Sequence, residues 1–386
     1  MVILIAAVAL VVIAGGLTWV LASNHTGTAA ASVQSHPAKS APPLHVLSVT
    51  PAASAHDVNG AGPITVKYSS PLAANSPMPT FSPAMKGTWA PVMTKVKGKG
   101  TKSEATSTMV FTPASGFKPH AKVTITIPAG PDGVRSTAGG LLSTEVTSKF
   151  YTGEYSTLRL QQLLAQLGYL PLTWTPSSGT APSATDAQAQ LSAAYSAPAG
   201  TFRWHSGYPS TLHHLWVTGS NNMIDVGAIR AFESVEGMTM DGVAGPSVWK
   251  HLLSAVAAGK DNPHGYSYAI ASKGSPEYLT IWHDGHVVLH TLANTGGEGT
   301  PTANGTYPVY EKLPFQIMKG TNPDGSHYAD PVENVSYFNG GDALHYFPRG
   351  SYGWPQSLGC VELPLGPSAV SYRYMTYGSL VTVSPY

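Results

Sequence analysis

Cysteine is nearly missing from this chain: one thiol, Cys360, stands among 386 residues. No internal disulfide is available, so each folded part must be held by packing alone. Charge is scarce as well. Lys, Arg, Asp and Glu make up 11% of the sequence, well under the roughly 25% of ordinary soluble domains. The net charge is +1, which argues against a nucleic-acid partner held by charge. Turn-formers are plentiful. Glycine (40) and proline (32) together reach about 19%, below the roughly 25–30% of low-complexity chains and in keeping with many turns and β-structure. An apolar content of 42% is enough for real cores, and the length allows two to three domains.

The chain opens on an uncharged apolar run, Val2 to Leu21, with Trp19 at its exit end. Such a run is long enough to cross a bilayer, and aromatics favour the interface. It exceeds the apolar stretch of a signal peptide, about 7–15 residues, and lacks a basic start. We expect residues 1–22 to be an uncleaved anchor. Ala29-Ala30-Ala31 offers the alternative, a cleavable signal and a secreted protein. No cysteine follows the run, so no lipid anchor is expected there. Residues 23–43, rich in Ala, Ser, Thr and Pro, read as a flexible linker on the export side.

The remainder reads as multidomain and mainly β. Residues 44–152 carry short alternating or β-branched runs, among them Ile64-Thr65-Val66-Lys67-Tyr68 and Lys122-Val123-Thr124-Ile125-Thr126-Ile127. Turn residues separate them, the pattern of a β-sandwich. The basic stretch Lys95 to Lys102 reads as a solvated loop. Residues 153–260 are helical. Leu160, Leu163, Leu164 and Leu167 recur at helical spacing between Ser156 or Thr157 and Gly168, and Trp249, Leu252, Leu253 and Val256 repeat it after Pro246. Residues 174–222 form an insertion whose Trp174, Trp204, Tyr208 and Trp216 are read as pins for a long loop before glycan contacts. Strands return over 261–386. Tyr278 to Trp282 and His286 to His290 form a hairpin around Asp284-Gly285, and Ser379 to Val383 close the domain. Strand periodicity puts His286 and His290 on one face, about 13 Å apart and too far to share an ion without a bend. No metal and no cofactor are expected.

The chemistry-bearing pair is Cys360 with His345, fifteen positions upstream. A thiol is a strong nucleophile at neutral pH only when something lowers its pKa or takes its proton, and a nearby imidazole does both. Gly359 lets a substrate carbonyl approach the backbone N–H groups around the sulfur. A lone cysteine is more often a small buried hydrophobe, so the surrounding residues must decide.

Those residues resemble the L,D-transpeptidase (YkuD-like) catalytic domain over about residues 266–385. That family carries His-Gly, a spacer, then Ser-His-Gly-Cys-Ile/Val-Arg-Leu. Here the matching positions are His345-Tyr346, a spacer, then Ser357-Leu358-Gly359-Cys360-Val361-Glu362-Leu363. Asn294-Thr295-Gly296-Gly297, Thr300-Pro301-Thr302-Ala303-Asn304-Gly305-Thr306-Tyr307-Pro308-Val309 and the approach Phe338 to His345 look like further family segments. The resemblance implies an enzyme forming 3→3 peptidoglycan cross-links through a cysteine thioester. Cys360 is the implied nucleophile, His345 the base and acid, and the Tyr346 carbonyl the orienting group. N–H groups near Leu358, Gly359 and Cys360 are the implied oxyanion hole. Ser357, Tyr352, Trp354 and Glu362 are expected to meet substrate. Three departures stand out: Leu358 for His, Tyr346 for Gly and Glu362 for Arg. A negative Glu362 would repel a stem carboxylate.

Residues 44–152 also resemble the Ig-like domain that precedes this catalytic domain in some actinobacterial relatives, in Ser48-Val49-Thr50-Pro51 and Phe111-Thr112-Pro113. Residues 153–260 resemble the peptidoglycan-binding domain type 1, with Glu233 for its usual Gln. The implied partners are peptidoglycan stem peptides and glycan, with the membrane reached through the N-terminal helix. The alternatives are an L,D-carboxypeptidase, in which water resolves the thioester, and a wall-binding scaffold with impaired chemistry.

Overall fold

A computed structural model describes residues 40–95 and 103–385. The expected anchor Val2–Leu21, most of the linker and nearly all of the basic stretch Lys95–Lys102 lie outside these residues. Among the described residues no helix is long and apolar enough to cross a membrane.

Alternation builds the first unit. Strand β1 (Val46–Thr50) pairs antiparallel with β2 (Ile64–Tyr68), which buries Ile64, Val66 and Tyr68 and turns Lys67 outward. Strands β3 (Thr80–Ser82), β4 (Gly87–Lys95), β5 (Ser103–Pro113), β6 (Lys122–Ile127) and β7 (Val146–Tyr151) complete two sheets, ordered β1-β2-β5-β4 and β3-β6-β7. Their inner faces meet in a core of Val66, Tyr68, Phe111, Val123, Ile125 and Phe150, which makes a sandwich.

The next segment is helical. It runs α1 (Thr157–Gln166), β8 (Leu172–Pro176), α2 (Ala187–Tyr195), β9 (Gly200–Trp204), α3 (Ser210–His213), α4 (Met223–Val235) and α5 (Pro246–Ala258). Ser156 caps α1 by accepting from the Arg159 N–H. Asn222 and Asp225 form a reciprocal cap on α4, and Gly259 ends α5 in the left-handed region at φ 62°. The leucine and tryptophan stripes of α1 and α5 share one core with Phe232. The insertion packs on this core through its aromatics. Trp204 stacks on His213 at 4.0 Å, Trp216 meets Phe202 at 5.4 Å, and the Tyr208 hydroxyl donates to the Tyr266 carbonyl at 2.9 Å.

The last unit holds β10 (Ser267–Ser272), β11 (Tyr278–His283), β12 (His286–Leu292), β13 (Gly305–Pro308), β14 (Glu311–Thr321), β15 (His327–Asn339), β16 (Asp342–Tyr346), β17 (Val361–Leu363), α6 (Leu365–Tyr374) and β18 (Leu380–Ser384). One sheet runs β12-β11-β10-β18-β13 and the other β14-β15-β16-β17. Ala269, Leu279, Ile281, Leu344, Val361 and Val381 fill the space between them. The β11–β12 turn uses Asp284 at φ 45° and Gly285 at φ 78°, the left-handed pair a tight hairpin needs.

One expectation about this hairpin is corrected. Ile281 pairs with Leu289 but Trp282 pairs with Val287, so a bulge falls at Val288. The extra residue reverses the facing of its neighbours on one side, and His286 and His290 lie on opposite faces of the sheet rather than on one. Their ring nitrogens are hydrogen-bonded locally, His290 Nδ1 to Thr280 Oγ1 at 2.8 Å and His286 Nδ1 to the Asp284 carbonyl at 3.0 Å.

Candidate active site

Two adjacent parallel strands set the site. Leu344 pairs with Val361 and His345 with Glu362. Leu344 and Val361 face the core, so His345 and Glu362 face the other way. Cys360 directly precedes β17, which puts it beside Ala343 and diagonal to His345 in that register. With strands about 4.8 Å apart and about 6.6 Å per two-residue step, the diagonal is roughly 8 Å between Cα atoms, within reach of an imidazole. Cys360 and His345 both open into a cavity of about 300 Å³, walled by Asp342, Arg349 and Leu358 on one side and by Tyr328 and Asp330 of the β14–β15 hairpin on the other.

His345 is buried, and its Nδ1 lies 2.9 Å from the Tyr346 carbonyl. A carbonyl only accepts, so Nδ1 carries the hydrogen and Nε2 is the basic nitrogen. Burial holds the imidazole below its usual range, against the pull of the Tyr346 carbonyl and the Glu362 charge. It is therefore neutral at pH 7, the form a general base requires.

The thiol departs from expectation. Cys360 Sγ donates to the Gly341 carbonyl at 3.7 Å, and no hydrogen bond joins it to His345 among the described residues. Burial pushes the thiol up to about 12; the Ala343 N–H works the other way, while the Asp342 and Glu362 carboxylates add to the rise. The sequence reading took the imidazole as the dominant influence. In the structure burial and two carboxylates act on the thiol with no hydrogen bond from the imidazole to offset them, which favours the protonated thiol at neutral pH.

Several expected substrate contacts prove to be internal braces. Ser357 is buried; its hydroxyl donates to the Cys360 carbonyl at 2.6 Å and accepts the Gly359 N–H at 3.2 Å. Its hydrogen bonds are therefore spent inside the loop, and the Gly359 N–H, expected in the oxyanion hole, is committed too. The Leu358 and Cys360 N–H groups have no acceptor among the described residues, and the Leu358 side chain is exposed on the cavity wall. Gly359 is obligatory for another reason: its φ is +122°, and an added Cβ would sit 2.6 Å from Asp342 Oδ1. The Tyr352 hydroxyl donates to the Phe347 carbonyl at 2.6 Å, which closes its own loop. Trp354 is exposed and, like Tyr352, lies off the cavity wall.

Glu362 is also corrected. It is 4% exposed and does not present a free negative charge. Arg349 grips it with both prongs, Nε to Oε2 at 2.8 Å and Nη2 to Oε1 at 2.6 Å, and Asn294 Nδ2 adds a bond to Oε2 at 3.1 Å. Phe347 lies under the guanidinium at 4.6 Å. The positive charge missing at position 362 thus arrives at the same place from a loop residue.

The upstream segments have a clear task. The Thr295 carbonyl accepts the Gln356 and Ser357 N–H groups at 2.9 and 3.0 Å, and the Gly297 N–H donates to the Ser357 carbonyl at 2.9 Å. Thr295 is itself fixed by buried Glu277, through its N–H at 2.6 Å and its hydroxyl at 2.7 Å. Asp342, Arg349, Tyr328 and Asp330 escaped the sequence reading as site residues. The hairpin that carries the last two had a signal: Asn322-Pro323-Asp324-Gly325 is a turn between alternating runs.

Residues 267–383 match the family model of the L,D-transpeptidase catalytic domain, and residues 39–152 match that of a bacterial Ig-like domain. No curated protein sequence matches the chain. Among solved structures, an L,D-transpeptidase from Mycobacterium smegmatis is 16% identical, covers 89% of this chain and 99% of its own, and has a TM-score of 0.28. L,D-transpeptidase 3 from Mycobacterium tuberculosis is 14% identical over 88% of this chain and 98% of its own, also at 0.28. The catalytic domain of the E. faecium L,D-transpeptidase is 27% identical over 30% of this chain and 95% of its own, again at 0.28. The chain carries an L,D-transpeptidase catalytic domain and an Ig-like domain, and L,D-transpeptidases are acyltransferases.

Proposed function

We propose, starting from the L,D-transpeptidase domain over residues 267–383, that this enzyme joins peptidoglycan stems by 3→3 cross-links through a thioester on Cys360. The observation that carries the reading is local. Inside the matched segment, the only thiol and a neutral, tautomer-fixed imidazole open into one cavity. In the first half-reaction His345 Nε2 takes the thiol proton as Sγ attacks the carbonyl of the third residue of a tetrapeptide stem. The C–N bond to the terminal D-alanine breaks, and the same proton goes to the leaving amine. In the second, the side-chain amine of another stem attacks the thioester. His345 takes a proton from that amine and returns it to the departing sulfur. The Leu358 and Cys360 N–H groups are the unspent donors for the oxyanion.

A protonated resting thiol favours a second reading, a wall-binding scaffold with impaired chemistry. The test is intact mass after exposure to a carbapenem, beside Cys360→Ala, followed by product masses with a tetrapeptide donor and an amine acceptor. An adduct on the parent alone, and a cross-linked dimer as product, support the transpeptidase. A shortened tripeptide instead of a dimer means that water resolves the thioester, the carboxypeptidase outcome. No adduct and no product favour the scaffold. In this proposal Val2–Leu21 anchors the chain in the cell membrane, and the folded units work on the wall side. The helical segment contributes wall binding.

A further inference from the structure

The carboxylates around Cys360 are not equivalent. Glu362 is neutralised by Arg349. Asp342, at the start of β16, has no cationic partner within ion-pair distance among the described residues. Asn339 Nδ2 reaches its Oδ2 at 3.4 Å, and the Ala303 N–H and the more distant Lys273 ammonium also favour its charged form. Its Oδ1 packs against the Cα of Gly359, next to the nucleophile. Asp342 lines the same cavity as Cys360 and His345. The Lys273 ammonium acts on it only from beyond ion-pair distance, so a partly exposed carboxylate stands beside the nucleophile on the cavity wall where a substrate cation can pair with it directly.

We propose that Asp342 is the seat of a substrate ammonium, the side-chain amine of the donor stem's third residue. This rests on the transpeptidase reading. In that chemistry donor and acceptor carry the same third residue, so the donor also brings a side-chain amine. Paired with Asp342, that amine stays protonated and cannot act as a nucleophile. The acceptor amine, out of reach of Asp342, stays free to lose its proton. The pairing also cancels a negative charge that opposes thiolate formation, so activation of Cys360 follows donor binding. The other charged or titratable groups coupled to the sulfur are Glu362, already paired with Arg349, and the phenols of Tyr310, Tyr328 and Tyr337 toward the hairpin; neutral His345 shares the cavity.

The test uses the whole chain and its single cysteine. Alkylation by iodoacetamide at fixed pH is followed by mass, with and without Nα-acetyl-lysine amide, and with its Nε-acetylated form as control. In the parent, the free-amine probe accelerates alkylation severalfold and the acetylated probe does not. In Asp342→Asn the basal rate rises, by roughly tenfold for each pKa unit removed, and the response to the amine disappears. Asp342→Glu restores part of that response, which a merely structural role would not. Tetrapeptide donors with the amine free or acetylated then give a second readout. The parent prefers the free amine through KM, and Asp342→Asn loses the preference. An equal response to both probes in the parent, or a preserved amine response in Asp342→Asn, overturns the inference. If no donor is turned over while the alkylation pattern holds, the cross-linking reading fails and the ammonium seat stands.

Discussion

Removing Arg349 tests the charge arrangement at the site. In Arg349→Met the guanidinium leaves and Glu362, 4% exposed, keeps a single side-chain donor, Asn294 at 3.1 Å. Stranding one partner of a buried pair costs about 3–5 kcal/mol. The Arg349 side chain is 28% exposed, so water can enter the gap, and we place the loss near the low end, about 3 kcal/mol. Glu362→Gln alone strands a guanidinium that water can reach and should cost less. The double variant removes both charges and should recover at least half of the larger loss, a coupling of about 1.5 kcal/mol or more. Urea unfolding of the four proteins gives the cycle. Exchanging the charges is the stricter arm. Glu362→Arg alone sets two guanidinium groups at pairing distance, a repulsion of about 4 kcal/mol at 4 Å and an effective dielectric of 20. Adding Arg349→Glu should restore folding and carbapenem acylation together. A loss under about 1 kcal/mol in Arg349→Met, with coupling near zero, would refute the claim that this pair holds the cysteine loop.

The geometry yields three further outcomes. Gly359→Ala forces a methyl group to within 2.6 Å of Asp342 Oδ1 at φ +122°, a strain of about 1–3 kcal/mol; carbapenem acylation should fall at least tenfold while thermal melting shifts only modestly. Asp225 is buried on α4, and burial pushes its carboxyl up to about 7 against bonds from Gln161 and Asn222. A raised carboxyl stabilises the fold in its protonated form, so that contribution is complete below the unfolded pKa, about 3.9, and is lost as pH rises through 7. Thermal melts should fall across that window, and Asp225→Asn should flatten them; melts that rise toward pH 7 would reverse the sign and sink the argument. A thiol near 12 gives an alkylation rate that climbs tenfold per pH unit from 6 to 10 in the unliganded protein. A reactive plateau below pH 7 would reveal a resting thiolate–imidazolium pair instead.

What the sequence disclosed was local and periodic. Leucines at helical spacing and Gly168 marked α1, Pro246 marked the start of α5, and Asp284-Gly285 marked its hairpin. Cys360 and His345 were legible through the motif residues around them and their resemblance to a known catalytic domain, since a lone thiol and a distant histidine carry little on their own. The bulge at Val288 left no mark, since an inserted residue in a run of His, Val and Leu looks like more strand. The partner of Glu362 was hidden because Arg349 lies thirteen positions away on a loop, and loop paths have no period. Asp342 was visible as a letter in a motif; only the packing against Gly359 shows that its charge bears on the sulfur.

Burial drives both members of the pair toward neutrality, the thiol upward and the imidazole downward. A resting ion pair is therefore disfavoured twice over, and in the proposed reaction proton transfer accompanies attack rather than preceding it. This gives the rigid loop a purpose. When the nucleophile is not pre-formed, rate depends on holding sulfur, imidazole and carbonyl in line while the proton moves. Ser357 inside the loop, Thr295 and Gly297 beneath it, and the Arg349–Glu362 pair at its flank supply that hold, and they spend their hydrogen bonds on backbone and on one another. A half-buried thiol that stays protonated without a substrate is also slow to react with small oxidants and electrophiles, which need the thiolate. Its reactivity is then set by what fills the cavity, and the negative charge of Asp342 makes that occupant's own charge part of the catalytic device.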